Sequence, residues 1–302
     1  KNLKKNGVKI IIGPVFNKNL IYLDQVKDVI FLSLTNKIID NPKNIISAGI
    51  NASSQFKTII QFQKINKLNK SIILIPKENY KNEIERVIKK TKIKHIGIHY
   101  YDSDPTKLTN QIEKITRYNQ RKRNLQDEIY RLENSNENNK EKKIEKLEKR
   151  DTLGGVKFDS IIISDFDENL KSITTSLLYT DISPEKFYFI ALNQWFDKSL
   201  LNETSSQSIY FPSINKNNYD QFIKDYNNEF NEYPNQLSFL SYDLVGLVYY
   251  LIIKNNHTIN EDIFYKKNMF KGKVGIFEIK DNKINHILNF YKVEDGRFKK
   301  IF

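Results

Sequence analysis

The sequence predicts an α/β chain: two Rossmann-like lobes of parallel sheet, with a charged helical hairpin inserted into the second. Three observations carry this expectation. Short apolar, β-branched runs alternate with helical patterns at the spacing of βαβ units, which implies parallel sheets covered by helices on both faces. The runs end in Gly, Pro, Ser, Asn or Asp, turn chemistry at the carboxyl edge of a sheet, where ligands bind in open α/β folds. With 302 residues the chain is also long enough for two domains.

The first unit is Gly7–Leu20. Val8–Ile12 is short and apolar enough to be a buried parallel strand, and Gly13-Pro14 stops it, because Pro has no N–H for a ladder. Asn17 and Asn19 sit where the next helix should begin, with side chains suited to capping it. Val29–Leu32 reads as a second strand ending in Ser33-Leu34-Thr35-Asn36, and Ile45–Ile50 as a short extended piece. Asn51-Ala52-Ser53-Ser54 caps a helix whose apolar face includes Phe56, Ile59, Ile60 and Ile65. Ser71–Ile75 is a strand closed by Pro76, followed by the loop Lys77–Tyr80, a helix carrying Ile84, Val87 and Ile88, and the strand His95–Tyr100.

Asp104–Asp151 breaks the alternation. Asp104 and Pro105 open a helix in the order cap, then first helical position. Ile112, Ile115, Leu125, Ile129 and Leu132 recur at helical spacing among charged residues, which predicts one helix of roughly 28 residues, about 40 Å long. Asn134–Asn139 is a turn, and Lys140–Arg150 a second, mostly charged helix. The expectation is an antiparallel hairpin projecting from a lobe; the alternative is a poorly ordered charged insertion. Beyond Leu153-Gly154-Gly155, Phe158–Ser164 resumes the sheet, and a helix around Ile173–Tyr179 and the strand Phe187–Leu192 follow. Next come the strand Ser208–Phe211, a helix Tyr219–Phe230 and a long apolar helix Leu237–Ile253. Lys273–Ile279 and Ile284–Val293 read as a β-pair turning at Asp281-Asn282. This divides the chain into residues 1–51 and 213–280 for the first lobe, 52–212 and 281–302 for the second, with the hairpin at 104–151.

Composition excludes several classes. Hydrophobic residues at 39% supply real cores, and no apolar run approaches the ~18–20 residues that span a bilayer, so no transmembrane segment is expected. Zero cysteines exclude disulfides, thiolate metal sites and Cys nucleophiles. The net charge of +13 invites a nucleic-acid reading, but the basic residues are scattered among Glu and Asp without a stripe. No nucleic-acid partner is expected, and a weak attraction to anionic surfaces stays open.

Chemistry is mostly absent. No G-x-x-x-x-G-K-[ST], G-x-G-x-x-G or G-x-S-x-G motif is present, so no nucleotide cofactor or serine nucleophile is expected. His95 and His99, four apart in a strand, place their rings about 13 Å apart, too far to share a metal. Asp165, Asp167 and Glu168 at a strand end either cap the next helix or hold a cation, an ammonium or a hydroxyl. What remains is a ring of strand-end residues: Asn17, Ser33, Thr35, Tyr80, Asp165, Asn193 and Trp195. An aromatic wall with a few oriented polar groups is the ordinary form of a small-molecule site. Trp195, the only tryptophan, either stacks on a ligand or fills a core.

Several stretches resemble type I periplasmic binding proteins of the leucine-binding kind. They are I-I-I-G-P-V-F at Ile10–Phe16, V-I-F-L-S-L-T-N at Val29–Asn36, S-Y-D-L-V-G-L-V-Y-Y at Ser241–Tyr250 and F-K-G-K-V-G-I-F-E-I at Phe270–Ile279. A narrower resemblance is to the penicillin-binding-protein activators of the LppC/YraM lipoprotein group. It rests on I-T-R-Y-N-Q-R-K-R at Ile115–Arg123, E-K-L-E-K-R-D-T-L-G at Glu145–Gly154, F-D-S-I-I-I at Phe158–Ile163 and L-N-Q-W-F-D at Leu192–Asp197. The resemblance implies a non-enzymatic, two-lobed envelope protein, with a peptidoglycan synthase (a penicillin-binding protein) as partner and an interlobe cleft for a small-molecule ligand. It implies the periplasm, with anchoring to the outer membrane through a lipidated segment upstream of Lys1. Such proteins begin with a strand and helix before the Gly-Pro loop, so Lys1 is expected not to be the mature start, or another segment to fill that place. Amino-acid-binding relatives favour Ser or Thr near Asn17, which weakens an amino-acid specificity here. The alternative function is a solute-binding receptor of an ABC transporter for amino acids or a related small molecule.

Overall fold

The computed structural model describes residues 2–37, 42–78, 81–258, 261–273, 275–280 and 282–302. A short helix α1 (Asn2–Lys5) precedes β1 (Ile10–Ile12), two 3-10 turns (Asn17–Leu20 and Leu23–Gln25), β2 (Ile30–Ser33) and β3 (Ile45–Ser47). Then come α2 (Ala52–Ile65), β4 (Ser71–Pro76), α3 (Lys81–Thr91) and β5 (Gly97–Tyr101). The insertion is α4 (Pro105–Thr116), α5 (Tyr118–Glu133) and α6 (Lys140–Glu148). It returns to β6 (Ser160–Ile163), α7 (Asp167–Tyr179), β7 (Tyr188–Ala191), α8 (Ser199–Asn202) and β8 (Ile209–Ser213). The chain ends with α9 (Lys216–Phe230), α10 (Gln236–Lys254), β9 (Asn268–Lys271), β10 (Ile276–Lys280), β11 (Lys283–Ile287), β12 (Asn289–Glu294) and β13 (Arg297–Lys300).

These strands make two sheets. The first runs β1-β2-β3-β11-β10-β9, parallel through β11 and antiparallel beyond it. The second runs β13-β12-β8-β7-β6-β4-β5, with a parallel centre and an antiparallel edge made by the C-terminal pair. Its central strands are apolar on both faces because helices cover both: Ile72–Ile75 and Ile161–Ile163 are all buried. The chain crosses between the sheets three times, after β3, after β8 and at Leu288.

The third crossing departs from the sequence reading. Ile284–Val293 is expected as one strand in the second lobe, yet β11 pairs with β10 and β3 in the first sheet, and only β12 joins the second. Residues 283–287 therefore pair in the first sheet, and the switch falls at Leu288 rather than at 280. Of the predicted turn, Asp281 lies outside the described residues.

The insertion departs too. The expected 28-residue helix is broken at Arg117, which takes the left-handed conformation (φ 55°) and gives its N–H to Glu113 and Lys114 carbonyls. α4 then lies on the lobe, with Leu108 and Ile112 buried, and Thr109 meets Ser176 of α7 at 3.2 Å. Only α5 and α6 form the hairpin, and α6 buries none of its residues. α10 is the one helix among the described residues long and apolar enough to cross a membrane. Its Phe239, Leu240, Leu244, Leu247 and Leu251 are buried in the core, which accounts for one apolar face, while Tyr242, Val245, Tyr249 and Ile253 stay exposed.

The first crossing depends on one glycine. A Cβ at Gly49 would stand 2.5 Å from the carbonyl oxygens of both Leu34 and Thr35, and backbone cannot swing aside. Gly49→Ala is expected to lower the unfolding free energy by about 2–3 kcal/mol in urea denaturation, the cost of overpacking a site that cannot relax. A loss below about 0.5 kcal/mol would show that the 34–35 turn yields.

Candidate functional site

The cleft between the sheets is built on the turns after β6 and β7. Asn193 organises the second turn: its Oδ1 accepts from Trp195 N at 3.0 Å and from Ser213 Oγ at 2.8 Å, while its own N–H donates to Gln55 Oε1 at 2.8 Å. Trp195 and Phe196 both have positive φ, 47° and 56°, a conformation that costs non-glycine residues on the order of 1–2 kcal/mol each. Phe196 holds the turn in place. Its ring packs against Phe211, Tyr219, Tyr291 and Phe298 with centroids 4.9–6.0 Å apart. With Phe196 locked inward, Trp195 is left half-exposed on the cleft wall.

The cavity there is about 640 Å³. The second lobe contributes Gln55, Phe166, Asp167, Asn193, Gln194, Trp195 and Asp197, and residues flanking the first sheet contribute Asn36, Tyr219 and Gln236. Burial raises the Tyr219 phenol, which stays a proton donor at neutral pH. Asp197 is spent on Ser199, accepting from its N–H at 2.9 Å and its hydroxyl at 2.6 Å. Asp167, exposed in the first turn of α7, makes no hydrogen bond to the described residues and is a free anionic contact. Among the described residues no Lys or Arg lines the cavity. The arrangement suits an uncharged or cationic group stacked on an indole and held by amides.

Of the residues the sequence singles out, Asn193 and Trp195 meet here. Asn17, Ser33, Thr35 and Asp165 do not line the cavity, and for the last three their hydrogen bonds explain why. Ser33 is buried and donates to Pro14 O at 2.8 Å while accepting from Thr35 N at 3.3 Å, pinning the Gly13-Pro14 loop to β2. Thr35 accepts from Lys37 N at 3.2 Å and gives its carbonyl to Gly49 N at 3.1 Å. Asp165 is buried, accepting from Tyr101 Oη at 2.5 Å, Phe166 N at 2.9 Å and Asn169 Nδ2 at 3.4 Å, so it fixes the start of α7. Asn17 caps nothing: the segment is a 3-10 turn, and its Oδ1 is buried without a partner. Tyr80 lies outside the described residues. Asp165, Asp167 and Glu168 form no metal-holding group among the described residues.

Sequence reasoning missed Gln55, Phe166, Gln194, Tyr219 and Gln236. Phe166 and Gln194 adjoin residues it named at the same strand ends, so adjacency was the available signal. Gln55, Tyr219 and Gln236 arrive from three helices, and nothing local marks them.

Neither a comparison with protein-family models nor one with curated proteins gives a match. Solved structures do match. The C-domain of LpoA (YraM) from Haemophilus influenzae, described as a regulator of PBP1A, aligns over 100% of this chain and 84% of its own, with a TM-score of 0.59 and 14% identity. Full-length LpoA from the same organism gives 0.59 and 14% over 99% of this chain, which spans only 49% of that protein. The leucine-binding protein LivK from Thermotoga maritima gives 0.61 and 12% identity, over 99% of this chain and 81% of its own. With its two sheets, three crossings and cleft at the strand ends, the chain has the two-lobed fold of the type I periplasmic binding proteins.

Proposed function

We propose that the chain is a non-enzymatic, binding-protein-like factor of the cell envelope that acts by contacting a peptidoglycan synthase, in the manner its likeness to the LpoA C-domain suggests. The observation that supports this over solute transport is the charge of the cleft. An amino acid needs its carboxylate met as well as its ammonium, and the described lining residues include Asp167 and Asp197 but no cation. The hydroxyls that would serve instead, Ser33 and Thr35, are turned to their own backbone. Desolvating a carboxylate without a partner costs several kcal/mol, which is more than stacking on one indole returns. Location in the periplasm, anchored to the outer membrane by a lipidated segment, belongs to the same proposal.

Two measurements test it. Calorimetry against a panel of amino acids that includes leucine is expected to show no binding up to millimolar concentration. Surface binding to the ectodomain of a bifunctional peptidoglycan synthase is expected to be saturable. Micromolar binding of an amino acid would overturn the reading in favour of a transport receptor, and a folded chain that ignores the synthase would remove the partner.

A further inference from the structure

At the opposite pole of the second lobe, away from the cleft, lies a pocket of about 410 Å³ ringed by Lys64, Lys67, Lys92 and Lys94 over an apolar floor of Ile60 and Leu68. It sits before the amino ends of β4 and β5, where α2 and α3 both terminate. No Asp or Glu lines it among the described residues. The carboxylate hydrogen-bonded to this segment, Asp159, is spent on the backbone N–H groups of Asn69 and Lys70 and on Ser160 Oγ. Lys94 Nζ donates to Asn69 Oδ1 at 2.9 Å, while Lys64, Lys67 and Lys92 form no ion pair among the described residues.

Lysines at helix C-termini ordinarily answer the helix dipole, and the magnitudes decide whether that suffices here. Two C-termini present about −0.5 of a charge each, against four ammonium groups. With the Asp159 carboxylate, whose charge its hydrogen bonds do not cancel, the surplus is about two positive charges around one hollow. Backbone geometry adds a second observation. Lys67 and Lys92 both follow their helix in the left-handed conformation, φ 55° and 54°, a position that favours glycine or asparagine. Both place a long cation at this costly position, and both line the same pocket.

We infer that this pocket binds a phosphate-bearing anion, a pyrophosphate-like group or a phospholipid headgroup, held by the four ammonium groups. The polar floor offers little competition: Gln63 donates to Ser71 Oγ and to the Lys94 carbonyl, and Thr91 donates to Val87 O, so recognition is by charge. Binding of this kind weakens as salt rises.

The test uses the whole chain at low salt. Pyrophosphate is titrated by calorimetry, and vesicles of phosphatidylglycerol or of phosphatidylcholine are tested by co-sedimentation. The key variant is Lys67→Gly with Lys92→Gly, which removes two charges and relieves the backbone at both positions, so its melting temperature is expected to hold or rise. Binding is expected to weaken at least ten-fold in that variant. Removing the same number of charges from α6 by Lys142→Gln and Lys146→Gln is expected to leave it unchanged. Pyrophosphate binding without vesicle binding assigns a free anion, and selective binding to phosphatidylglycerol assigns the headgroup. The inference is overturned if neither probe binds, if the glycine variant binds as the parent does, or if the α6 variant loses as much.

Discussion

Arg121→Met is expected to lower the unfolding free energy by about 3 kcal/mol and to loosen the α4–α5 junction from the lobe. Arg121 is buried where α5 begins, and its guanidinium reaches three elements at once. Nε donates to Thr116 O at 3.1 Å, Nη1 to Thr152 Oγ1 at 2.9 Å and Nη2 to the Thr180 carbonyl at the end of α7. Asp181 stands 3.7 Å from Nη1 and accepts from Thr152 at 2.5 Å. Burial pulls the Arg121 pKa down and Asp181 pulls it up, yet the group stays charged at any physiological pH. Methionine keeps most of the volume but leaves the Thr116 and Thr180 carbonyls buried without donors, at roughly 1–3 kcal/mol each before relaxation. Asp181 is about a third exposed and can turn to water, which keeps the total at the lower end for a broken buried pair. Urea denaturation measures the loss, and hydrogen exchange along 118–133 should quicken with it. A change under about 1 kcal/mol, with exchange unaltered, would mean that hydrophobic contacts of Leu108 and Ile112 hold the insertion by themselves.

Much of the fold was legible wherever the determining chemistry is local. Asn51 accepts from Ser54 N at 2.9 Å at the start of α2, and Asp104 accepts from Thr106 N ahead of Pro105, both as capping chemistry requires. The both-face burial of Ile72–Ile75 follows from an unbroken apolar run. What failed depends on distant partners. Arg117 carries no breaker signal, and its left-handed turn stands because Arg121, four residues on, is tied to Thr152 and Thr180. Leu288 carries no Gly or Pro either; the switch there is set by β3 on one side and β8 on the other. The site divides in the same way. Trp195 announces itself as an aromatic residue at a strand end, whereas Ser33, Asp165 and Asn193, polar residues at strand ends, all spend side-chain oxygens on the scaffold, and only Asn193 of the three also lines the cavity. Strand-end polarity finds the edge of the cleft. It does not distinguish a residue that faces a ligand from one that holds the turn.

Acidification from pH 6.5 toward 4 is expected to cost the protein about 3 kcal/mol of stability, most of it through His286. This ring is buried in β11, edge-on to Phe277 at 4.8 Å, and Nε2 lies 2.9 Å from the Ala48 carbonyl at the first crossing. Facing a carbonyl, Nε2 carries the proton, while Nδ1 is buried without a partner. A second proton on Nδ1 would place a charge in the core with nothing to accept from it. Burial accordingly pushes the His286 pKa down to about 4, against the weaker upward pull of the Ala48 carbonyl. The unfolded chain takes up this proton near 6.5, the folded chain only near 4, so between those values the unfolded state binds more protons and stability falls as pH falls. Above pH 6.5 the contribution is fully present and flat. His99 is shifted down by burial as well and adds in the same direction, while Glu137 and Glu294, held at about 2 by lysine and arginine partners against 4.5 in the unfolded chain, add a solvent-screened loss that begins only at the acid end of this window and continues below it. His286→Gln, which retains a donor for Ala48 O, is therefore expected to flatten most of the slope between pH 6.5 and 4 in urea titrations. A slope that survives the substitution would assign the acid sensitivity to His99, or to the paired carboxylates where it is confined to the acid end of the window. Because His286 also gives its backbone N–H to Ser54 Oγ at 3.0 Å, the buried charge that acid would create stands where β11 meets the crossing that enters α2.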